Sequence, residues 1–210
     1  MNIILIGDSG HAKVIADNVV SAGNRVVARL DDKHTEVFKA NGCWFGPVSE
    51  VSKLMEKEQA KVIIAIGANS VRRKIVERLA LSADQYATAI HSNAVISPSA
   101  AIGYGTVVLP GAVVNAEAVV GNHTILNSRS VVEHDCTVGD YVHMASGAVV
   151  AGLATLENGV LVETGASITP MKKLGQWSVV RAGSAVMDDV EEFSTVMGVP
   201  ALDIKAGVEK

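Results

Sequence analysis

Glu133, His134 and Asp135 set an imidazole between two carboxylates in consecutive positions. A carboxylate beside a histidine raises its basicity and orients its ring, so this segment has the makings of a general base. His143 follows nine positions on. Far upstream, Gly7-Asp8-Ser9-Gly10-His11, Asp31-Asp32 and Gly67 form a second group of interest. The first of these segments opens a helix, whose free N–H groups suit a phosphate. An acidic side chain at Asp31 could bond a ribose or a base. The plainer reading is that Gly7 and Gly10 make a turn and that Asp31 and Asp32 cap a strand. Agreement among three strand ends favours nucleotide binding, although the full G-x-G-x-x-G spacing is missing. His34, His91 and His123 read as solvated or locally hydrogen-bonded residues. A zinc site would need three histidines about the metal, and His123 is the only further candidate near His134 and His143.

The elements that must position these residues come in two kinds. From Ile90 every sixth residue is aliphatic or Met: Ile96, Ile102, Val108 and so on through Met144 to Val186. Helices and sheets repeat at 3.6 and 2, so a period of six signals a solenoid of hexapeptides, a parallel β-helix. Four positions after each beat the residue is usually small, as at Ala112, Thr124, Cys136 and Ala154, and strand alternation turns both columns inward. Gly103, Gly121, Gly139 and Gly175 recur at multiples of eighteen, one coil of a triangular prism, and are expected to take the positive φ of a tight corner. Lys172 falls in the small inward column, which predicts a bulge over Pro170 to Lys173. On this prism His134 occupies a coil corner and His143 an outward position halfway round. One chain separates them. Three prisms about a threefold axis could bring one chain's His134 near a neighbour's His143.

The first part of the chain alternates strand and helix. Ile3 to Ile6, Arg25 to Leu30 and Lys61 to Ile66 read as strands, with helices over Ala12 to Ala22, around Ser49 to Gln59, and about Ile75, Val76 and Leu79. That pattern predicts a small Rossmann-like parallel sheet over 1–86, with the β-helix and a tail over 87–210. A hydrophobic fraction of 49% with only 4% aromatic residues suits a stack of Val, Ile and Ala. The net charge of −4 offers no basic footprint for nucleic acid. Cys43 and Cys136 are far apart, as expected of free thiols in a reducing compartment. The apolar start ends at Ile6, too short for a signal peptide, and no run approaches a membrane span, so a cytoplasmic location is expected.

Taken together, these residues resemble a known family. The hexads resemble the acyltransferases that build left-handed β-helices, an exception to the usual right-handed crossover. Within them the chain resembles the sugar acetyltransferases of the bacillosamine and sialic-acid type. The likeness runs through Ile6 to His11, Asp31-Asp32, Ala65 to Asn69 with Arg72 or Arg73 beyond, Asn127 to Gly139, Val142-His143 and Gly198 to Ala201. It implies His134 as general base with Asp135 tuning it, and acetyl-CoA held by His143, Thr164 and Ala182. It implies a nucleotide-sugar pocket of Ser9, Gly10, His11, Asp31, Asp32 and Gly67. The activity implied is N-acetylation of a UDP-linked 4-amino-4,6-dideoxy sugar, by direct transfer in a homotrimer, with no metal. O-acetylation of a sialic acid or related sugar is the alternative. A non-catalytic trimeric stalk with a ligand-sensing front domain is more remote.

Overall fold

In the structure, a computed structural model describing residues 1–204, the front of the chain forms a five-stranded sheet. Strand β1 (Asn2–Ile6) leads to helix α1 (Gly10–Ser21), then β2 (Arg25–Leu30), β3 (Phe38–Ala40) and β4 (Cys43–Gly46). Helix α2 (Val51–Glu58), strand β5 (Ala60–Ile64) and helix α3 (Asn69–Leu79) follow. The order is β3-β4-β2-β1-β5, parallel except for the β3–β4 hairpin at the edge. The hairpin escaped the sequence reading because its strands are short and carry no run of alternation. The third parallel strand also stops sooner than expected, at Ile64 rather than Ile66.

From Ala89–Ile90 onward, two-residue strands build three walls of a left-handed prism. The first wall runs through Val107–Val108, Ile125–Leu126, His143–Met144, Leu161–Val162 and Val179–Val180 and closes with a hairpin, Thr195–Gly198 and Ala201–Asp203. The second carries Val113–Val114, Val131–Val132 and Val149–Val150, and the third Val119–Val120, Thr137–Val138 and Thr155–Leu156. From Ala89–Ile90 to Ala185–Val186 each strand pairs in parallel with the one eighteen residues away, as Val113 with Val131. The six-residue column is buried from Val108 to Val186, with the small column beside it. The alternate residues of each strand point outward.

Two expectations about the prism fail. The left-handed backbone falls on a different column from the glycines at 103, 121, 139 and 175. It recurs at every sixth residue from Gly105 to Gly183, with φ between 52° (His123) and 74° (Gly159), and eight of these corners hold other residues, Asp135 and Trp177 among them. The eighteen-residue glycines are needed for close approach: a Cβ on Gly121 would lie 2.5 Å from Asp140 Oδ1 and 2.6 Å from the Gly139 carbonyl carbon. Nor does Pro170 to Lys173 bulge. Thr155 and Leu156 pair in register with Lys173 and Leu174, and the Lys172 carbonyl accepts the Thr155 N–H at 2.8 Å. The backbone ladder outweighs one awkward side chain, because a long amphipathic stem can lead its charge back toward water.

The front domain sits on the first wall. Ile3, Leu5, Ile15 and Val19 pack with Ala89, Val107 and Ile125, the outward residues of its early coils. Arg72 of α3 is buried and fastens this junction. Its Nε donates to the His123 carbonyl (2.7 Å), and its terminal nitrogens donate to the carbonyls of Ile66, Gly67, Tyr141 and Val142 and to Asn69 Oδ1. Asn69 in turn donates to the carbonyls of Gly159 and Val160. Burial pushes the Arg72 pKa down to about 9, which still leaves the guanidinium charged at neutral pH.

Candidate active site

His134 stands at the corner between Val131–Val132 of the second wall and Thr137–Val138 of the third. The left-handed turn at Asp135 (φ 59°) brings its carboxylate to 2.7 Å from His134 Nδ1. A carboxylate can only accept, so Nδ1 carries the proton and Nε2 presents a lone pair. The side chain is 57% exposed, and the corner backbone is bonded on both sides, to Ala116 and Leu153. Glu133 does not flank the imidazole as the sequence suggested. Its carboxylate accepts from Asn115 Nδ2 at 2.8 Å, one coil back. The imidazole lies across Gly152, where a Cβ would come within 2.7 Å of Nε2.

The outward column of the first wall explains the other half of the site. Ala89, Val107 and Ile125 lie under the front domain, and the next residue in the column is His143. Its Nδ1 donates to the Gly67 carbonyl (3.1 Å), and its Nε2 accepts from Asn127 Nδ2 (3.3 Å). Burial, with the nearby Arg72 charge, drops its pKa to about 4, so it is a neutral imidazole at pH 7. Beyond it the wall diverges from α3 and leaves a cleft of about 600 Å³, with Gly67 and Ser70 on one side and Leu161, Thr164, Val179 and Ala182 on the other. His143, Thr164 and Ala182 therefore share one cleft, and His134 stands on a different corner.

The crevice at the ends of β1 and β2 gathers the front-domain residues. The Gly7 N–H bonds Leu30, and a Cβ there would meet the Ala65 carbonyl oxygen at 2.9 Å. Ser9 is the N-cap of α1, followed by Gly10 and His11. The His11 ring centroid lies 6.1 Å from that of His143, so the crevice meets the cleft at Gly67. Burial, then the Arg72 charge, lowers the His11 pKa. Asp31 accepts the N–H groups of Asp8 and Lys33, while Asp32 accepts from Val48 N–H and pairs with Arg78 at 2.8 Å. Both acids thus hold their own loops. Asp8, which the sequence offered only as part of the Gly7 to His11 turn, is the charged centre, paired with Arg29, Lys33 and His34. Burial works against its ionisation, but hydrogen bonds from Lys33 and His34 and the charges of Lys33 and Arg29 outweigh it and hold its pKa below the ordinary value.

His34 and His91 make local hydrogen bonds, to Asp8 and to the Asn93 N–H. His123 is a correction. It is 1% exposed, caged by Tyr86, Tyr104 and Tyr141, and neither ring nitrogen has a partner among the described residues. The front domain covers this coil, which a reading of the prism alone could not foresee. Cys136 is buried and its thiol donates to the Ala151 carbonyl, while Cys43 is half-buried at the start of β4. No group of three His, Cys, Asp or Glu residues suited to a metal occurs among the described residues, nor any helix long and apolar enough to cross a membrane.

Comparison with known proteins gives this geometry its context. Residues 2–79 match the PglD N-terminal domain family, and residues 117–152 match the bacterial transferase hexapeptide family of six repeats. Both matches bear out the resemblance to the hexapeptide-repeat sugar acetyltransferases. The chain is 40% identical over 105 residues to the UDP-N-acetylbacillosamine N-acetyltransferase of Bacillus subtilis (strain 168). The matched stretch spans 49% of this chain and 48% of that relative, about half of its length. A solved structure of a mutant GDP-perosamine N-acetyl transferase from Caulobacter crescentus, in complex with CoA and GDP-perosamine, superposes with a TM-score of 0.90 at 29% identity. It covers 98% of this chain and 97% of that one. The acetyltransferase domain of PglB from Neisseria gonorrhoeae FA1090, in complex with acetyl coenzyme A, gives 0.85 at 29% identity over 97% and 98%.

Proposed function

We propose that this chain is an acetyl-CoA-dependent N-acetyltransferase acting on the amine of a nucleotide-linked amino sugar, a UDP-linked 4-amino-4,6-dideoxy sugar in particular. The observation that carries the reading is the meeting at Gly67 of a nucleotide-type crevice with an apolar cleft. One serves an acceptor and the other an acyl donor. The likeness to proteins solved with CoA and a nucleotide amino sugar supports it, and the Bacillus subtilis relative favours UDP.

The acceptor amine attacks the thioester carbonyl as His134 Nε2 removes its proton. The C–S bond then breaks, and the imidazolium formed, steadied by Asp135, returns that proton to the departing thiolate. Neutral His143, its Nδ1–H fixed on Gly67, orients the thioester end of the donor, and Thr164 and Ala182 line its path. Ser9, Gly10, His11 and Gly67, with the loops held by Asp31 and Asp32, seat the nucleotide. Holding two substrates in line supplies much of the rate. Because His134 and His143 stand on different walls of one chain, the reading is completed by a homotrimer in which neighbouring chains supply one each. The second wall offers a face for such packing: its outward column is Val95 (62% exposed), Val113, Val131 and Val149.

The test is release of coenzyme A from acetyl-CoA with a UDP-4-amino sugar as acceptor. Release that requires both the amino sugar and His134 is the expected result. Release driven by sialic-acid hydroxyls alone would move the reading to O-acetylation, and absence of acetyl-CoA binding would overturn it.

A further inference from the structure

Arg72 holds both ends of one hydrogen bond. That bond runs from His143 Nδ1 to the Gly67 carbonyl, across the joint between the front domain and the prism. On the acceptor side, Arg72 Nη1 donates to the same Gly67 oxygen (3.1 Å) and to the Ile66 carbonyl before it (2.9 Å). On the donor side, Arg72 Nη2 donates to the carbonyls of Tyr141 (2.8 Å) and Val142 (3.3 Å), the two residues that lead into His143. The Gly67 oxygen thus receives two donors, one for each lone pair, and its direction is set. The guanidinium is 1% exposed, and its acceptors are five carbonyls and the Asn69 amide oxygen, none of them a carboxylate. A buried cation without a counter-ion is costly. Apolar contacts such as that of Leu5 with Val107 join the two domains without that cost. What a planar fork of five N–H groups adds is a fixed geometry between carbonyls of two separate elements.

We propose that Arg72 is a positioning residue for acetyl transfer, holding the His143 ring at the cleft by fixing the Gly67 carbonyl against the backbone ahead of His143. This role rests on the reading of the cleft as the acyl-donor site, with His143 at its thioester end. Arg72 acts through Gly67 and His143, and no bond is made or broken at it. Its charge works in the same sense. After burial, Arg72 is the main influence against a protonated His143, with His11 of α1 adding to it, so the ring keeps its single proton on Nδ1.

Arg72→Lys keeps the charge and loses the fork. It is expected to lower kcat for acetyl transfer to a UDP-4-amino sugar about tenfold or more, with KM for the sugar little changed. In 15N-histidine NMR the wild-type His143 ring is expected to carry its proton on Nδ1, and the variant ring to move toward the average of the two tautomers. Arg72→Gln loses charge and fork together, so its His143 titration is expected to shift up from about 4 as well. The inward core of the prism and one core of the front domain are built without Arg72, so both variants are expected to fold with a lowered melting temperature. A wild-type kcat in folded Arg72→Lys, or a lowered kcat with an unchanged His143 spectrum, would overturn the proposal. Failure of both variants to fold would also overturn it, making Arg72 a structural residue alone. A wild-type protein that releases no coenzyme A with a nucleotide-linked amino sugar would overturn the proposed function, and this role with it, whatever the spectra show.

Discussion

The His134 imidazole lies across Gly152, and that contact exists because position 152 has no side chain. A Cβ 2.7 Å from Nε2 must push the ring aside, and the ring, being exposed, can move without disturbing the coil. Gly152→Ala is therefore expected to lower kcat about a hundredfold, with KM and melting temperature little changed. Steady-state kinetics beside a thermal melt would check this, and retained kcat would mean that Nε2 is not the reacting atom. His123 governs a different property. Burial, then the Arg72 charge, pushes its pKa from 6.5 to about 4 in the fold. Between those values the unfolded chain binds more protons than the native one, so the stability is present above pH 6.5 and lost as pH falls toward 4. The full amplitude is roughly 3 kcal/mol for this residue. His123→Phe, which keeps an aromatic ring among Tyr86, Tyr104 and Tyr141, is expected to flatten the dependence of Tm on pH over that window. His143, also at about 4, preserves part of the slope.

At the scale of the element, the coil distinguishes two uses of glycine that a sequence shows alike. Gly121 faces the backbone of Gly139 and the Asp140 carboxylate, which cannot retreat without opening the stack. Gly147 takes φ of 70° with open space about it, at a corner type where Asp135 and Trp177 are tolerated. Gly121→Ala should cost on the order of 3 kcal/mol by overpacking, and Gly147→Ala about 1 kcal/mol by backbone conformation. Urea unfolding midpoints would order the two, and the reverse order would contradict the stacking account. The period of six was legible because every hexad repeats the same inward demand. The role of the eighteen-residue glycines was not, since sequence records where a side chain is missing but not which neighbour requires it.

For the whole molecule, the decisive question is whether a reaction centre needs two chains. His134 lies between the second and third walls and His143 on the first, under the edge of the front domain. If each centre takes one histidine from each of two neighbours, His134→Ala and His143→Ala chains, inactive separately, should regain activity when co-expressed. Random mixing in a closed ring places the two intact residues at about one interface in four, so about a quarter of the wild-type rate is expected. No recovery from mixed trimers would place the centre within a single chain. Val131→Asp, on the second wall's outward column, is expected to lower the sedimentation coefficient and the activity together.

The sequence by itself determined the prism, the parallel sheet before it, and the pairing of His134 with Asp135, because these follow from spacing along the chain and from neighbours in covalent order. It also marked Gly7 to His11, Asp31, Asp32 and Gly67 as strand ends that share a crevice. Only the tertiary structure decided that Gly67 fixes the His143 ring from seventy-six residues away, that Arg72 ties five carbonyls of the two domains together, and that Glu133 turns to Asn115 instead of His134. It also decided that Arg73 rests on Trp177. Such contacts depend on how the front domain docks on the first wall, and docking is settled by packing and by the need to satisfy buried polar groups, neither of which leaves a period in the sequence.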